Sequence, residues 1–419
     1  MLWICCLATL TATAQTTKHV LFVGNSYTSV NNLPQMTAQI ANSMGDALTY
    51  VVNAPGGCTF MQHCTNQSMS YICQGGWDAV VLQEQSQMPA FPDWQVEQEV
   101  FPYAKQLVDS VYAHSPCGEP MFYMTWGRKN GDQYNAAAFP PLGTYEGMDS
   151  LLALRYTLMA QQDDAALCPV GRVWHRLRTT DPKLELYQPD ESHPTVAGTY
   201  AAACAFYVML FHRDPMGITF SSTLDGNEAQ TIRKAVRTVV YDSLSRWQRP
   251  QPRVEPPTVD STHGPSVWVS LPSTDASVLR LRWGDGTDTS LAPATAHHIA
   301  HTYADSGQYT LVVVGERHCM SHTDSLLLHV EAGEEAGMAL ATAPAATLWP
   351  NPARQTVHWR CEAAEATIEI YDMRGQMRVQ QRATGPEATL DVGGLEAGLY
   401  LVWVRTPQGI AVGRLAVAR

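Results

Sequence analysis

Five short apolar runs, with stretches of helical spacing between them, limit the fold of this chain more than any other feature. Residues 20–23, 48–52, 79–82, 121–124 and 171–174 read as buried strands. Between them, residues 35–44, 94–112 and 148–162 repeat apolar side chains every three or four positions, as helices do. Residues 195–211 follow as a helix with Pro194 at its first turn, and residues 227–247 as a further helix. Strands that are apolar throughout, and that alternate with helices, belong to a parallel sheet covered on both faces. The expectation for residues 15–248 is therefore an α/β domain.

The pattern then changes. Residues 249–257, "RPQPRVEPP", form a stiff, solvated proline-rich linker. Residues 258–332 alternate in strand fashion, with turns at "WGDGTD" and "YADSGQY". A second linker is expected over 333–346. Residues 347–419 are strand-like again, in "ATIEIYDMRG", "ATLDVGGLEAGLYLVWV" and "GIAVGRLAVA". One α/β domain followed by two small β-sandwiches is the expected architecture.

The first residues, "MLWICCLATLTATAQ", read as an export signal over 1–14. Leu2 to Leu10 is apolar but too short to span a bilayer, and Ala12-Thr13-Ala14 is a small-x-small site with cleavage before Gln15. The usual positive charge ahead of the apolar stretch is missing. No other segment is apolar enough to cross a membrane. With 27 basic against 39 acidic side chains and no basic run, a nucleic-acid partner is not expected. Cys58, Cys64, Cys73, Cys117, Cys168 and Cys204 fall in the α/β region, where an exported protein is free to form disulfides. Cys58, Cys64 and Cys73 are close enough in sequence for a local staple, although spacing does not choose among pairings. Paired C-x-x-C spacing is absent, so zinc is not expected.

In a parallel α/β sheet, ligands bind beyond the carboxyl ends of the strands. Four stretches fall there. "GNSYT" places Asn25 and Ser26 just past the first strand. "NAPGGCTF" places Gly56 and Gly57 past the second, where a backbone can approach a ligand closely. "WDAVVLQEQSQMP" places Gln83, Gln85, Ser86 and Gln87 past the third, as candidate amide donors to an oxyanion. "FYMTWGRKNGD" places Trp126, Arg128 and Asp132 past the fourth, where Trp126 is a candidate platform for a substrate ring and Arg128 or Asp132 a polar contact. Near the end of the domain, "DESHP" sets Asp190 three residues before His193. That spacing lets a carboxylate orient an imidazole, which can then take a serine proton. Plainer readings stand beside these: Gly24-Asn25-Ser26 as a turn, Asp190 or Ser192 as a helix cap, and Trp126 as a packed core residue. His63 and His114 have no partner pattern and read as structural or exposed.

Taken together, "GNSYT", "PGGCT" and "DESHP" resemble the SGNH (GDSL-like) hydrolase family over residues 18–212. The resemblance implies a flavodoxin-like three-layer α/β/α sandwich. It also implies Ser26 as nucleophile, Asp190 and His193 as its partners, and an oxyanion hole from the N–H groups of Ser26 and Gly57. The family's third block carries an asparagine that this sequence lacks; "QEQSQM" stands there instead. An ungapped match puts Gln87 on that asparagine, while Gln85 or Gln83 could point inward; Gln85 is taken as the expected donor. "LRLRWGDGTDTS" with "HTYADSGQY" resembles a PKD domain, an immunoglobulin-like spacer or contact module. "LWPNPARQTV", "IEIYDMRGQMR" and "DVGGLEAGLYLVWVRTPQG" resemble a type IX secretion C-terminal sorting domain. That likeness implies the type IX machinery as a partner and a secreted or outer-membrane surface location. The expected activity is hydrolysis of a small-molecule or glycan ester, for instance a carbohydrate O-acetyl group, with no metal or cofactor. The alternative is a non-catalytic surface protein that binds glycan or protein on the same scaffold.

Overall fold

In a computed structural model the chain is described over residues 15–271, 274–292, 297–331, 347–360, 365–385, 387–406 and 409–418. The expected signal at 1–14 and linker at 333–346 lie outside the described residues, as does Cys361. The described residues form a parallel α/β sheet followed by antiparallel sheets.

Strands β1 (Thr17–Val23), β2 (Ala47–Asn53), β3 (Ala79–Leu82), β4 (Glu119–Tyr123) and β5 (Ala166–Cys168) make one sheet in the order β2-β1-β3-β4-β5. Every pairing is parallel. This is the flavodoxin-like order, and its direction reverses between β1 and β3, which opens a crevice at their carboxyl ends. Val20–Val23 and all of β3 are buried, as strands covered on both faces must be.

The first helices are α1 (Ser26–Ser29), α2 (Leu33–Ser43), α3 (Phe60–His63) and α4 (Gln67–Gln74). Next come α5 (Asp93–Glu99), α6 (Phe101–His114), α7 (Tyr145–Gln162), α8 (Val170–Thr180) and α9 (Val196–Phe211). The unit ends with α10 (Gly226–Val239) and the short α11 (Leu244–Trp247). Helix α9 is buried along its whole length after Val196, and it is apolar all round for that reason.

Three expectations need correction. Residues 171–174 are not a strand but the start of α8. Val170, Val173, Trp174 and Leu177 are buried there at helical spacing, and the fifth strand is the three-residue run just before. The helix expected over 94–112 is broken at Val100, because Pro102 cannot continue the hydrogen-bond ladder of α5. Neither Pro194, Asp190 nor Ser192 starts α9. Thr195 caps it, its hydroxyl accepting the Gly198 N–H at 3.3 Å.

Two compact units divide the described chain. The first runs through Asp260 and takes in Trp268–His301 and Tyr309–Leu328; the second holds Ser261–Val267, Thr302–Gln308 and His329–Arg419. Beyond the α/β part, Met320–Val330, Gly307–Arg317, Val278–Arg282 and Asp288–Leu291 form a four-stranded sheet in that order. Further along, the strands Thr347–Trp349, Thr356–Arg360 and Glu387–Asp391 form one antiparallel sheet. Met377–Thr384, Glu365–Asp372, Gly398–Thr406 and Gly409–Val417 form another. Val357, Trp359, Ile368, Ile370, Leu390, Val402 and Leu415 fill the core of this C-terminal part.

The cysteines do not form the local staple. Cys58, Cys64, Cys73, Cys168 and Cys204 are free, and Cys117 is joined to Cys319, 202 residues away. Cys117 follows α6 and Cys319 sits in the turn between two strands of the four-stranded sheet.

Candidate active site

Ser26 is the first residue of α1, directly beyond the buried end of β1. The backbone leading to it is held from several sides. Gly24 N–H donates to the Asn53 carbonyl at 3.1 Å, and His63 Nε2 lies 2.9 Å from the Gly24 carbonyl. Asn25 caps α1, its Oδ1 accepting the Tyr27 N–H at 3.2 Å. Its Nδ2 donates to the Cys58 carbonyl at 3.1 Å and the Glu84 carbonyl at 3.3 Å. Asn25 therefore binds the loops after β2 and β3 to the residue before Ser26, and its side chain has no donor left over.

His193 reaches the same point from the other end of the domain. Its Nε2 lies 2.8 Å from Ser26 Oγ, and its Nδ1 lies 2.5 Å from Asp190 Oδ2. Asp190 Oδ1 accepts the backbone N–H groups of Ser192 and His193 at 3.1 and 3.0 Å. Burial acts to raise the Asp190 carboxyl, but the His193 hydrogen bond and those two N–H groups outweigh it and hold it below the usual range. The carboxylate thus stays ionised beside the imidazole. The His193 and Asp190 side chains are partly open to solvent and Ser26 is half-buried, so the hydroxyl is reachable.

A column of rings supports this arrangement from below. Tyr27 stacks on Trp126 with centroids 4.7 Å apart, and Trp126 stacks on Trp174 at 3.8 Å. The His193 ring meets the Tyr27 ring edge-on at 5.4 Å. The Tyr27 hydroxyl pairs with Ser192 Oγ at 2.6 Å, and Trp126 Nε1 donates to the Ser192 carbonyl at 3.1 Å. Trp126 is fully buried, so it is a support for the histidine loop and not an exposed platform for a substrate ring. Burial pushes the Tyr27 phenol up and keeps it neutral.

The remaining candidates divide. Gly57 is exposed, with φ +68, and a Cβ there would meet nothing within 4 Å. The N–H groups of Ser26 and Gly57 have no acceptor among the described residues. Cys58, next to Gly57, is tied to Asn25 as described, which brings the two N–H groups into neighbouring loops. Gln83 is fully buried and spent: its Nε2 donates to Asn25 Oδ1 at 2.8 Å and to the Glu84 carbonyl, and its Oε1 accepts from Asn25 and Thr28. Gln85 folds back on its own loop, donating to Gln87 Oε1 at 3.0 Å and Ser86 Oγ at 3.4 Å, so both its amide hydrogens are engaged. Gln87 donates to Asp132 Oδ2 at 2.5 Å with one amide hydrogen. Arg128 reaches Asp132 Oδ1 at 3.4 Å.

One residue that the sequence did not single out matters here. Glu84 is fully buried, and its carboxyl oxygens accept the N–H groups of Phe60 at 2.9 Å and Gln85 at 2.5 Å. It joins the loops after β2 and β3, and burial pushes its carboxyl up to about 8. The signal was present: an acid following a strand that is buried at every position. His63, read as structural or exposed, is fully buried, with Nδ1 2.8 Å from Ser68 Oγ. His114 is exposed.

Comparison with known proteins identifies the C-terminal part of the chain. Residues 347–418 match the secretion system C-terminal sorting domain. The chain therefore carries a type IX export tail, which directs it to the cell surface or outer membrane and implies the type IX machinery as a partner. Among the described residues no helix is long and apolar enough to cross a membrane. Solved structures similar to the chain include a DUF4886 family protein from Bacteroides uniformis, at 17% identity and TM-score 0.46, covering 54% of this chain and 95% of that one. A protein described as a GDSL-like lipase from Parabacteroides merdae is similar at 10% identity and TM-score 0.35, covering 48% and 98%. Phospholipase A1 from Streptomyces albidoflavus is similar at 14% identity and TM-score 0.31, covering 43% and 94%. No curated protein matches the chain significantly.

Proposed function

We propose that the chain is an exported serine esterase of the SGNH type. The observation that carries this reading is the continuous hydrogen-bonded path from Ser26 Oγ through the His193 ring to the Asp190 carboxylate. Ser26 Oγ attacks the ester carbonyl while its proton passes to His193 Nε2. Asp190 stabilises the imidazolium and holds the ring in the needed orientation. The oxyanion is met by the N–H groups of Ser26 and Gly57, with a side-chain amide from the loop after β3. Collapse of the tetrahedral intermediate expels the alkoxide, which takes the proton from His193. Water, deprotonated by the same imidazole, then releases the acid and restores Ser26. None of these steps calls for a metal or cofactor.

In this reading residues 1–14 are the cleaved signal, 15–248 the hydrolase domain, 258–332 a PKD-type spacer and 347–419 the sorting domain, with linkers at 249–257 and 333–346. Carbohydrate O-acetyl esters suit an enzyme delivered to a cell surface on a spacer. A panel of acyl esters, with Ser26→Ala as control, tests the proposal. The parent should hydrolyse an acetyl ester and label with a fluorophosphonate, and a Ser26→Ala protein as fast as the parent would remove it.

The engaged amides of Gln83 and Gln85 favour one other reading, a glycan-binding protein on the same scaffold. Glycan binding by a parent that does not label would support that alternative.

A further inference from the structure

The side chain of Asp132 is fully buried on the loop after β4. Its Oδ2 accepts Gln87 Nε2 at 2.5 Å and Asn135 Nδ2 at 2.6 Å, and its Oδ1 faces Arg128 Nη1 at 3.4 Å. Its own N–H is held by the Leu142 carbonyl at 2.7 Å. Burial acts to raise this carboxyl, but its amide and guanidinium donors outweigh that and hold it below the usual range. It is therefore a carboxylate, and a carboxylate only accepts hydrogen bonds.

That fixes which way the Gln87 amide is turned. The atom facing Asp132 must be the nitrogen, so Gln87 Oε1 faces the other way, where it accepts Gln85 Nε2 at 3.0 Å. The Gln87 N–H is bonded to Gln85 Oε1 at 2.8 Å, so the residue is tied at three points. One hydrogen on Gln87 Nε2 has no acceptor among the described residues, whereas Gln83 and Gln85 have none to spare.

The loop that carries Gln87 lies against the nucleophile. The Glu84 carbonyl accepts Asn25 Nδ2 at 3.3 Å, one residue before Ser26. The Asp132 loop is also joined to the histidine loop. Lys129 N–H donates to the Glu191 carbonyl at 2.9 Å and Asn130 Nδ2 to Glu191 Oε1 at 2.8 Å. Asp132 thus sits on a segment braced from both sides of the candidate site.

We propose that Asp132 is a positioning residue that turns the Gln87 amide so that its free Nε2–H becomes the side-chain donor to the oxyanion. The proposal rests on the esterase reading above and assigns the donor that reading left open. It also gives a physical reason for a glutamine at this place. The extra methylene adds a rotatable bond, and an unanchored amide would lose rotamer freedom each time it met the oxyanion. Anchoring at Asp132 removes that loss in advance.

The test is steady-state hydrolysis of a chromogenic acetyl ester by the full chain. Gln87→Met keeps the length and removes the donor; kcat should fall about a hundredfold or more with KM nearly unchanged. Asp132→Asn should lower kcat at least about tenfold, the loss expected for a hydrogen bond to a charged group. The double variant should be no slower than Gln87→Met alone, because Asp132 acts only through Gln87. Unchanged kcat in Gln87→Met, or effects that multiply in the double variant, overturns the proposal. Gln87→Met decides the matter alone if Asp132→Asn does not fold. An inactive parent would remove the esterase reading and this one together; an active parent matched by Gln87→Met would remove only this one.

Discussion

Asn25 and Gln83 are joined by a reciprocal pair of hydrogen bonds: the Asn25 N–H donates to Gln83 Oε1 at 3.0 Å, and Gln83 Nε2 donates to Asn25 Oδ1 at 2.8 Å. The end of β3 thereby holds the residue before the nucleophile. Gln83 is a brace, although its place in the sequence suggested an oxyanion donor.

Gly24 is required by the same contact. A Cβ at residue 24 would lie 2.4 Å from Thr28 Oγ1 and 2.7 Å from Gln83 Oε1, two buried atoms already bonded to each other. Gly24→Ala should cost about 1–3 kcal/mol, as overpacking does. It should also slow fluorophosphonate labelling of Ser26, because the strain falls on the turn that aims it. Thermal unfolding and labelling rate measure the two effects separately.

Trp126 holds the histidine loop through a single hydrogen bond to the Ser192 carbonyl. Trp126→Phe keeps an aromatic ring in the Tyr27–Trp126–Trp174 stack and removes that donor. The expected loss is about 1–3 kcal/mol, the cost of leaving a buried carbonyl without its partner. Labelling should slow as well, since Ser192 adjoins His193. An unchanged melting temperature and unchanged labelling would show that the loop is fixed by other means.

The sequence marked the sheet plainly because buried parallel strands leave uninterrupted apolar runs, and Val20–Val23 and Ala79–Leu82 are such runs. It misplaced the fifth strand because Ala166–Cys168 is three residues long and the apolar stripe of α8 follows at once. Asp190 and His193 stood out because they lie three residues apart on the loop before a helix, and Ser26 because it follows a buried strand at the rim where ligands bind. The division of labour among Gln83, Gln85 and Gln87 was not readable. Three amides on one loop differ only in what they meet, and those partners, Asn25 and Asp132, come from distant segments.

Glu84 gives the fold a pH dependence. Its folded pKa, raised to about 8 by burial, lies above the unfolded value. For an acid shifted in this direction the protonated form is the one the fold favours. Its contribution is therefore complete below the unfolded pKa and is lost as pH rises through about 8. Stability of the parent should fall between pH 5 and pH 9 on this account, by an amount on the order of a few kcal/mol. Glu84→Gln, which cannot ionise, should flatten that decline. Denaturant melts at several pH values measure it, and parallel curves for parent and variant would count against this assignment.

The disulfide between Cys117 and Cys319 yields the last prediction. It closes a loop of about two hundred residues, and chain-entropy arguments give a bridge of that span roughly 5 kcal/mol of stabilisation. Its surroundings are already matched. Tyr112 stacks on His318 with centroids 3.5 Å apart, Arg249 Nη2 donates to the His318 carbonyl at 3.1 Å, and Arg317 Nε pairs with Asp164 Oδ2 at 2.9 Å. An exported chain meets the oxidising conditions in which such a bridge persists. Non-reducing peptide mapping should recover Cys117 and Cys319 in one linked species. Cys73, which is exposed and free, should react with iodoacetamide without denaturant, while the buried Cys168 and Cys204 should not. Cys319→Ser should lower the melting temperature of the oxidised protein towards that of the reduced parent. It should leave Ser26 labelling intact, because none of the site's hydrogen bonds runs through the bridge. Recovery of a Cys64–Cys73 link instead would contradict the pairing.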